Sequence, residues 1–561
     1  MLNERSKATG KGLQALAVTA GILLALTSCM DAEEADPQGP VVPEESTFFA
    51  TVDVEPASTL QSYSDGDLWP VAWSDDDELY TANGDGVGFD FAQDWSDIVV
   101  NKLKGTPWNG GVVDGERLTS GDGAARVWSD PQLYNRKPTG MISVNGDLYM
   151  AVQDLSKDDK SGDIFNEAPA ATIYKSTDKG KTWTAPGDEP MFNDHMFTTV
   201  MFLDYGKDGA NNTFDDYVYA YGLDYNWRDS FNDKVPDPTK LYLARMPKDG
   251  IQDVSAWEFY TGSLKGKAKW SKPGDIASRK PVLQDDRRVY MERFTDELSH
   301  MSVISQGSIV YNKPLDRYLY TSWTEYTFEF YEAPKPWGPW KRFYSGDFGV
   351  YPWSTEKNGG YATVIPSKFI SEDGREMWLN SNTFVGGVKN YNFSLRKMKV
   401  TPYAKTKPAN EKSGDNLALA SVADGVTPYA RTVSNGGLAR LNDGSREESA
   451  DSWTGERKSE DWWGYTWPRS YRMNKVVLIG GESQSNGGWF ENVRVQVRQN
   501  FKWVDVEEAS VAPSYPGSAE ADGNSYAFTF DEIAGDGVRI IGKPGGEETF
   551  TSVAELEVYY N

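Results

Sequence analysis

The sequence predicts an all-β protein, a five-bladed β-propeller followed by a smaller strand-rich domain. Three observations carry this. The 561 residues include 53 Gly, 20 Trp and 30 Tyr, a composition suited to many short strands joined by tight turns. One strand motif recurs five times. The composition then changes near residue 404, where a polar stretch precedes a new set of strand patterns.

The recurring motif reads ELYTA from Glu78, DLYMA from Asp147, DYVYAYG from Asp216, RYLYTSW from Arg317 and REMWLNS from Arg375. Each copy is rich in aromatic or β-branched residues, alternates, and follows a Gly/Asp-rich or Pro-containing turn. The first three copies are spaced by 69 residues, and the next gaps are 101 and 58. Repeats of roughly 70 residues suit four-stranded blades with long loops, and radial closure shelters strand edges. STDKGKTW, Ser176 to Trp183, fits the S-x-D-x-G-x-T-W hairpin turn found in propellers. There Asp178 caps the turn and Trp183 packs into the blade, a structural role only.

The first 29 residues carry Arg5, Lys7 and Lys11, an apolar run from Leu13 to Leu26, and then Leu26-Thr27-Ser28-Cys29. The run is too short for a comfortable membrane span, and the pattern is that of a secretory signal. Its last four residues resemble a bacterial lipobox, with Cys29, the sole cysteine, as the lipidation site. Residues 30–57 are acidic and Pro-rich and are expected to be a disordered tether. The expected location is that of an exported bacterial lipoprotein on the outer membrane or cell surface, touching the membrane through the anchor only.

The net charge is −26. It becomes −28 once residues 1–28, with a net charge of +2, are removed. This weighs against nucleic acid, which needs clustered Lys and Arg, and favours a neutral polysaccharide or oligosaccharide partner. With one Cys and two His, no internal disulfide forms and a multi-His metal site is nearly excluded. No cofactor is required, and any metal would be an oxygen-liganded calcium. A monomer is expected.

The predicted domains are 58–403 for the propeller, 404–424 for a linker and 425–561 for the second domain. That last stretch, with LNDG at Leu441, a Trp-rich run before NKVVLIGG, and a final strand AELEVY, resembles a discoidin-like (coagulation factor 5/8 C-terminal type) module. The resemblance implies a β-sandwich jelly roll, also used as a carbohydrate-binding module. It implies a structural calcium at Asp443 and Glu555, and buried roles for most of Trp453, Trp462, Trp463 and Trp467. Trp489 and Phe490, in the loop SNGGWFEN, are the expected glycan-stacking residues.

Sugar hydrolysis takes two carboxyls flanking the scissile bond. Asp67 precedes Leu-Trp-Pro, and Asp85 lies between two glycines after the ELYTAN strand, where a ligand can approach closely. Gly-Asp-Gly is equally an ordinary tight turn. Asp75, Asp76 and Asp77 fall between two strand signals and are expected in a solvated hairpin loop. DLWPVAWSDDDELYTANGDGVGF, HMFTTVMF, YVYAYGLDYNWR and FEFYEAPKPWGPW are similar to a bacterial five-bladed propeller family long known as a domain of unknown function. Some relatives of that family are glycoside hydrolases acting within D-arabinan. The resemblance implies Asp67 and Asp85 as the catalytic pair. Expected substrate-binding residues are Trp69, His195, Asp224, Arg228, Trp323, Glu325 and Tyr361. The leading expectation is a glycoside hydrolase of a neutral glycan, an arabinan-type furanoside among the candidates. A non-catalytic glycan-binding lipoprotein and, more weakly, a polysaccharide lyase are the alternatives.

Overall fold

The computed structural model describes residues 39–561 except 56–59, 158–164, 230–233, 290–300, 325–326, 348–355, 358–361, 381, 383, 386–390, 404–407, 409, 456 and 500–501. The signal segment and Cys29 therefore lie outside the described residues, as do Glu325 and Tyr361. The described chain is all-β, with only short 3-10 turns besides its strands.

Five antiparallel units follow one another. The first holds Val71–Trp73, Leu79–Gly88, Ser96–Gly105 and Val113–Ser120, with Asp65–Asp67 added against Leu79–Gly88. The second holds Tyr134–Val144, Asp147–Ser156 and Ala171–Ser176, extended by a bridge from Ala171 to Phe192. Thr199–Asp204, Tyr217–Leu223, Lys240–Pro247 and Glu258–Leu264 make the third, and Ile309–Asn312, Arg317–Trp323, Thr327–Ala333 and Lys341–Asp347 the fourth. The third and fourth form one sheet, because Leu203 and Asp204 pair in parallel with Ile309 and Val310. The fifth holds Glu376–Asn380, Ser394–Pro402 and, from the other end of the chain, Phe49–Val54.

Four of the five sequence motifs are thus the second strand of their units, and the fifth, Glu376–Asn380, follows a short segment in which Val364 bridges to Asn380. These strands are buried on both faces because neighbouring units stack on each side, as in Leu148–Ser156. The first strands converge on a cavity of about 20 Å³ lined by Val71, Gly140, Met201, Ile309 and Val364 among others, one contribution per unit. Close approach there requires glycine. A Cβ on Gly140 would sit 2.8 Å from the Val200 carbonyl.

The tether expected over 30–57 ends early. Phe49–Val54 is a strand, paired from Phe49↔Pro402 to Val54↔Met398. Its alternating FATVDV buries Phe49 and Ala50, so the apolar burial available there outweighs the cost of ordering the segment. The linker expected over 404–424 also ends early. Leu417, Ala418 and Ala423 are in the core of the C-terminal domain, and the Leu417 N–H donates to Val558 O.

The C-terminal domain is one eight-stranded sheet. Its long strands Asp461–Gly480 and Ser525–Gly542 break register between Thr466 and Tyr471 and between Met473 and Lys475. Such bulges bend strands, so one sheet covers both sides of a core containing Trp463, Trp467, Val476, Val538 and Leu556. This is the expected sandwich. Trp463 and Trp467 are fully buried as expected, whereas Trp453 and Trp462 are half-buried.

Candidate functional site

Asp65–Asp67 pairs antiparallel with Leu79–Gly88, placing Asp67 opposite Gly84. Asp67 and Asp85, 18 residues apart, are therefore cross-strand neighbours. The chain then turns sharply. Leu68 (φ 74°) and Trp69 (φ 47°) are both left-handed, as is Asp85 (φ 37°). A residue before proline normally stays extended, yet Trp69 precedes Pro70. Strain of this kind persists only where surroundings over-determine it, and it clusters at functional sites. Here Trp69 is locked by its N–H to Asp67 O (3.0 Å) and its Nε1–H to Gly66 O (2.8 Å).

Gly84 makes the site sterically feasible. A Cβ there would lie 2.5 Å from Asp67 Oδ1 and 3.0 Å from Lys137 Cδ. Lys137, from the second unit, is 2% exposed at its side chain and ion-pairs with Asp85, which is 25% exposed. Asp67 is buried and its Oδ1 has no hydrogen-bond partner among the described residues. Burial, and next the charge of Asp85, push the Asp67 carboxyl up to about 7, while Lys137 partly offsets them. The two carboxyls thus sit in unlike environments: one buried acid that holds a proton near neutrality, and one ion-paired carboxylate open to solvent. The chemistry available is proton donation beside a fixed negative charge.

An apolar floor lies beside the pair. Leu68 packs with Leu155, Ala168, Trp227, Trp323 and Ala362, so strands and loops from the rest of the sheet assembly support the segment after Asp67. Trp69 and Trp323 are fully buried. Both were expected to bind substrate, and both are instead packing residues. A Trp at the end of such a strand is pulled inward by the neighbouring units. The Trp323 Nε1–H donates to Gln306 O, and Gln306 Nε2 in turn donates to Pro138 O at 3.1 Å, tying the fourth unit to the residue after Lys137.

Asp224 was expected to bind substrate, but it is spoken for. It accepts from the Phe197 N–H at 2.8 Å and from Arg279 Nη2 at 2.7 Å. Arg228 is likewise buried and donates to Asp229 O at 2.9 Å. His195, also expected to bind substrate, is more open. It is 28% exposed, left-handed at φ 60°, and held at 3.2 Å by Glu167, which also accepts from Tyr134 Oη (2.7 Å) and pairs with Lys234 (3.0 Å). In the C-terminal domain Phe490 is buried, because its N–H is taken by Tyr515 Oη and its ring lies in the core. It cannot stack on a glycan. Trp489 is half-buried over Gly545, where a Cβ would meet its Nε1 at 2.0 Å. The Glu555 carboxylate, pushed up to about 7 mainly by burial, accepts the Gly444 N–H at 3.2 Å beside Asp443. Among the described residues no third His, Cys, Asp or Glu joins them as a metal ligand.

The triplet Asp75-Asp76-Asp77 is the hairpin loop expected, closed by Asp77 N–H to Ser74 O at 3.0 Å. It is more engaged than a free loop, with Asp75 paired to Lys179 and Asp77 to Lys207 and Lys368. The Ser176–Trp183 turn is also as expected. Asp178 accepts from Thr182 N (2.9 Å), Thr182 Oγ1 (2.7 Å) and Ser176 Oγ (2.9 Å).

Sequence reasoning missed Lys137 and Glu167, which arrive from another unit and carry no local signal. It also missed a second acidic pair. Asp229 and Asp237 share Arg288, at 3.4 and 2.5 Å, and burial, then Asp237, raise Asp229 to about 7. Asp229 is also satisfied by the Ser302 N–H at 2.8 Å, unlike Asp67.

No curated protein matches this chain. Several solved structures resemble parts of it. A Bacteroides ovatus protein provisionally described as a hydrolase is 12% identical and matches 61% of this chain and 86% of its own, at a TM-score of 0.35. A domain of the Streptococcus pneumoniae β-galactosidase BgaA is 11% identical over 24% of this chain and 97% of its own, at 0.21. A Clostridium perfringens family 32 carbohydrate-binding module, solved with GalNAc-β-1,3-galactose, is 18% identical over 24% and 94%, at 0.20. The family model described as "Domain of unknown function (DUF4185)" matches residues 65–347, from the strand that carries Asp67 to the end of the fourth unit, and the chain belongs to that family.

Proposed function

We propose that the protein is a glycoside hydrolase of a neutral glycan, with an arabinan-type furanoside as the leading substrate class. The five units are its propeller blades, Asp67 is the general acid and Asp85 the second carboxylate. One observation carries this reading: two cross-strand carboxyls, the first buried and raised to about 7, the second ion-paired with Lys137. Asp67 would pass its proton to the leaving glycosidic oxygen as the C–O bond breaks. The Asp85 carboxylate would offset the positive charge developing on the ring, and water would complete hydrolysis. The C-terminal domain would hold the polymer near the site and raise its effective concentration.

A structural calcium at Asp443 and Glu555 belongs to the same proposal. The pair offers carboxylate oxygens toward the six to eight that calcium takes. Thermal unfolding with calcium and with a chelator tests it. The proposal that Cys29 anchors the protein to a membrane is tested by labelling cells with a fatty-acid analogue.

The decisive experiment incubates residues 30–561 with arabinans, galactans and other neutral glycans and measures new reducing ends. Asp67→Asn and Asp85→Asn should each abolish them, while Asp229→Asn, at a carboxyl also raised to about 7 by burial but held by internal partners, should not. Binding without cleavage would overturn the hydrolase reading in favour of a glycan-binding protein. Ultraviolet-absorbing products would point to a lyase.

A further inference from the structure

Beside the carboxylates the first unit carries a set of aromatic side chains that the fold does not bury. Tyr63 is 68% exposed and Trp95 is 60% exposed. The Tyr63 ring packs against half-buried Phe91, with centroids 4.2 Å apart and planes tilted by 40°. All three flank the strands that carry the acids. Tyr63 lies two residues before Asp65, the residue paired with Gly88. Phe91 and Trp95 lie in the connection between Leu79–Gly88 and Ser96–Gly105. Trp95 adjoins Ser96, the cross-strand partner of Gly86, which follows Asp85. Adjacent strands run about 5 Å apart, so the Trp95 backbone sits within a few residues' reach of the Asp85 carboxylate.

Packing gives no reason for this exposure. The core of the unit is complete without these rings, through Trp69, Val71, Leu79 and Leu103. Scattered exposed apolar residues need no explanation, but here the rings share one edge and border a site. The chemistry of the surroundings selects the occupant. Asp65, Asp90 and Asp94 adjoin the rings in the chain and outnumber the neighbouring cation Arg117, which donates to Val87 O and Asp94 O; this excess of acids disfavours an anionic polymer, and carboxylates accept hydrogen bonds from hydroxyls. Flat aromatic faces beside acceptors fit the C–H faces and hydroxyls of a neutral sugar ring.

We infer that Tyr63, Phe91 and Trp95 form a stacking subsite for the neutral glycan chain, continuous with Asp67 and Asp85 and distinct from any site on the C-terminal domain. The inference rests on the proposed hydrolase reading for its link to catalysis, though not for binding itself. Loss of one exposed ring should weaken the interaction about 2- to 12-fold.

The test uses hydroxyl-radical footprinting of residues 30–561 carrying Asp67→Asn, with soluble arabinan, galactan or mixed-linkage glucan as the probe. At least one probe should lower oxidation of both Tyr63 and Trp95. In protein with the native acids, Trp95→Ala and Tyr63→Ala should then raise KM for that polymer within the stated range and leave kcat for a short aryl glycoside of the same sugar unchanged. Both rings remaining unprotected by every probe overturns the subsite, as does an unchanged KM in both variants. Protection without any hydrolysis by the unmutated chain upholds the subsite and sinks the hydrolase reading instead.

Discussion

Replacing Asp67 with Asn should stabilise the protein above neutral pH and leave its stability nearly unchanged in acid. The folded state holds the Asp67 carboxyl at about 7 against an ordinary 3.8. Each pH unit of such a difference is worth about 1.36 kcal/mol, so keeping this group ionised in the fold costs about 4 kcal/mol. The sign follows from proton counting. Between pH 3.8 and 7 the folded chain binds a proton that the unfolded chain has released. Stability contributed by this group therefore falls as pH rises through that window, and the full cost is present above it. Asn resembles the neutral acid in shape and never ionises. Chemical unfolding of both proteins at pH 5 and pH 8 gives the answer, because all other titrating groups cancel in the difference. The variant should gain up to about 4 kcal/mol over wild type at pH 8 but only about 1.6 kcal/mol at pH 5, which lies early in the window that opens at 3.8, while losing hydrolysis at both. An equal difference at the two pH values would refute the claim that burial and Asp85 hold Asp67 protonated.

Three further outcomes are expected. Gly84→Ala should leave the circular dichroism spectrum intact but cut turnover about 100-fold or more, since its Cβ would displace the Asp67 carboxylate now 2.5 Å away and misplacement by about 1 Å has that effect. Lys137→Met removes the cation that lowers Asp67, so the alkaline limb of the pH–rate profile should move upward; a downward move would contradict the acid assignment. Asp178→Ala should lower stability by about 1–3 kcal/mol through its lost turn hydrogen bonds, with kcat unchanged.

The five strand motifs and the Ser176–Trp183 turn were legible because period-two patterning and turn chemistry are local. Asp67 and Asp85 could be named but not joined, since their pairing depends on the Asp67↔Gly84 register. Lys137 was invisible: nothing in RKPTG marks a lysine that folding will bury against a carboxylate 52 residues earlier. Trp69, Trp323 and Phe490 were misread for a related reason. An aromatic at a strand end or in a loop looks the same whether it faces a ligand or a neighbouring unit, and here the neighbours take it. The strand Phe49–Val54 was hidden by the acidic residues preceding it, although its alternation was present.

The pairing of Phe49–Val54 with Ser394–Pro402 sets an order of events during synthesis. The opening strand emerges first, yet its partner lies some 340 residues downstream. Until that stretch leaves the ribosome, the fifth unit lacks a strand and its neighbour an edge cover. Among the described residues of the five units, closing the seam is the strand pairing of greatest sequence separation, and such contacts slow folding. The seam should accordingly be the last region of the five units to gain protection from hydrogen exchange during refolding.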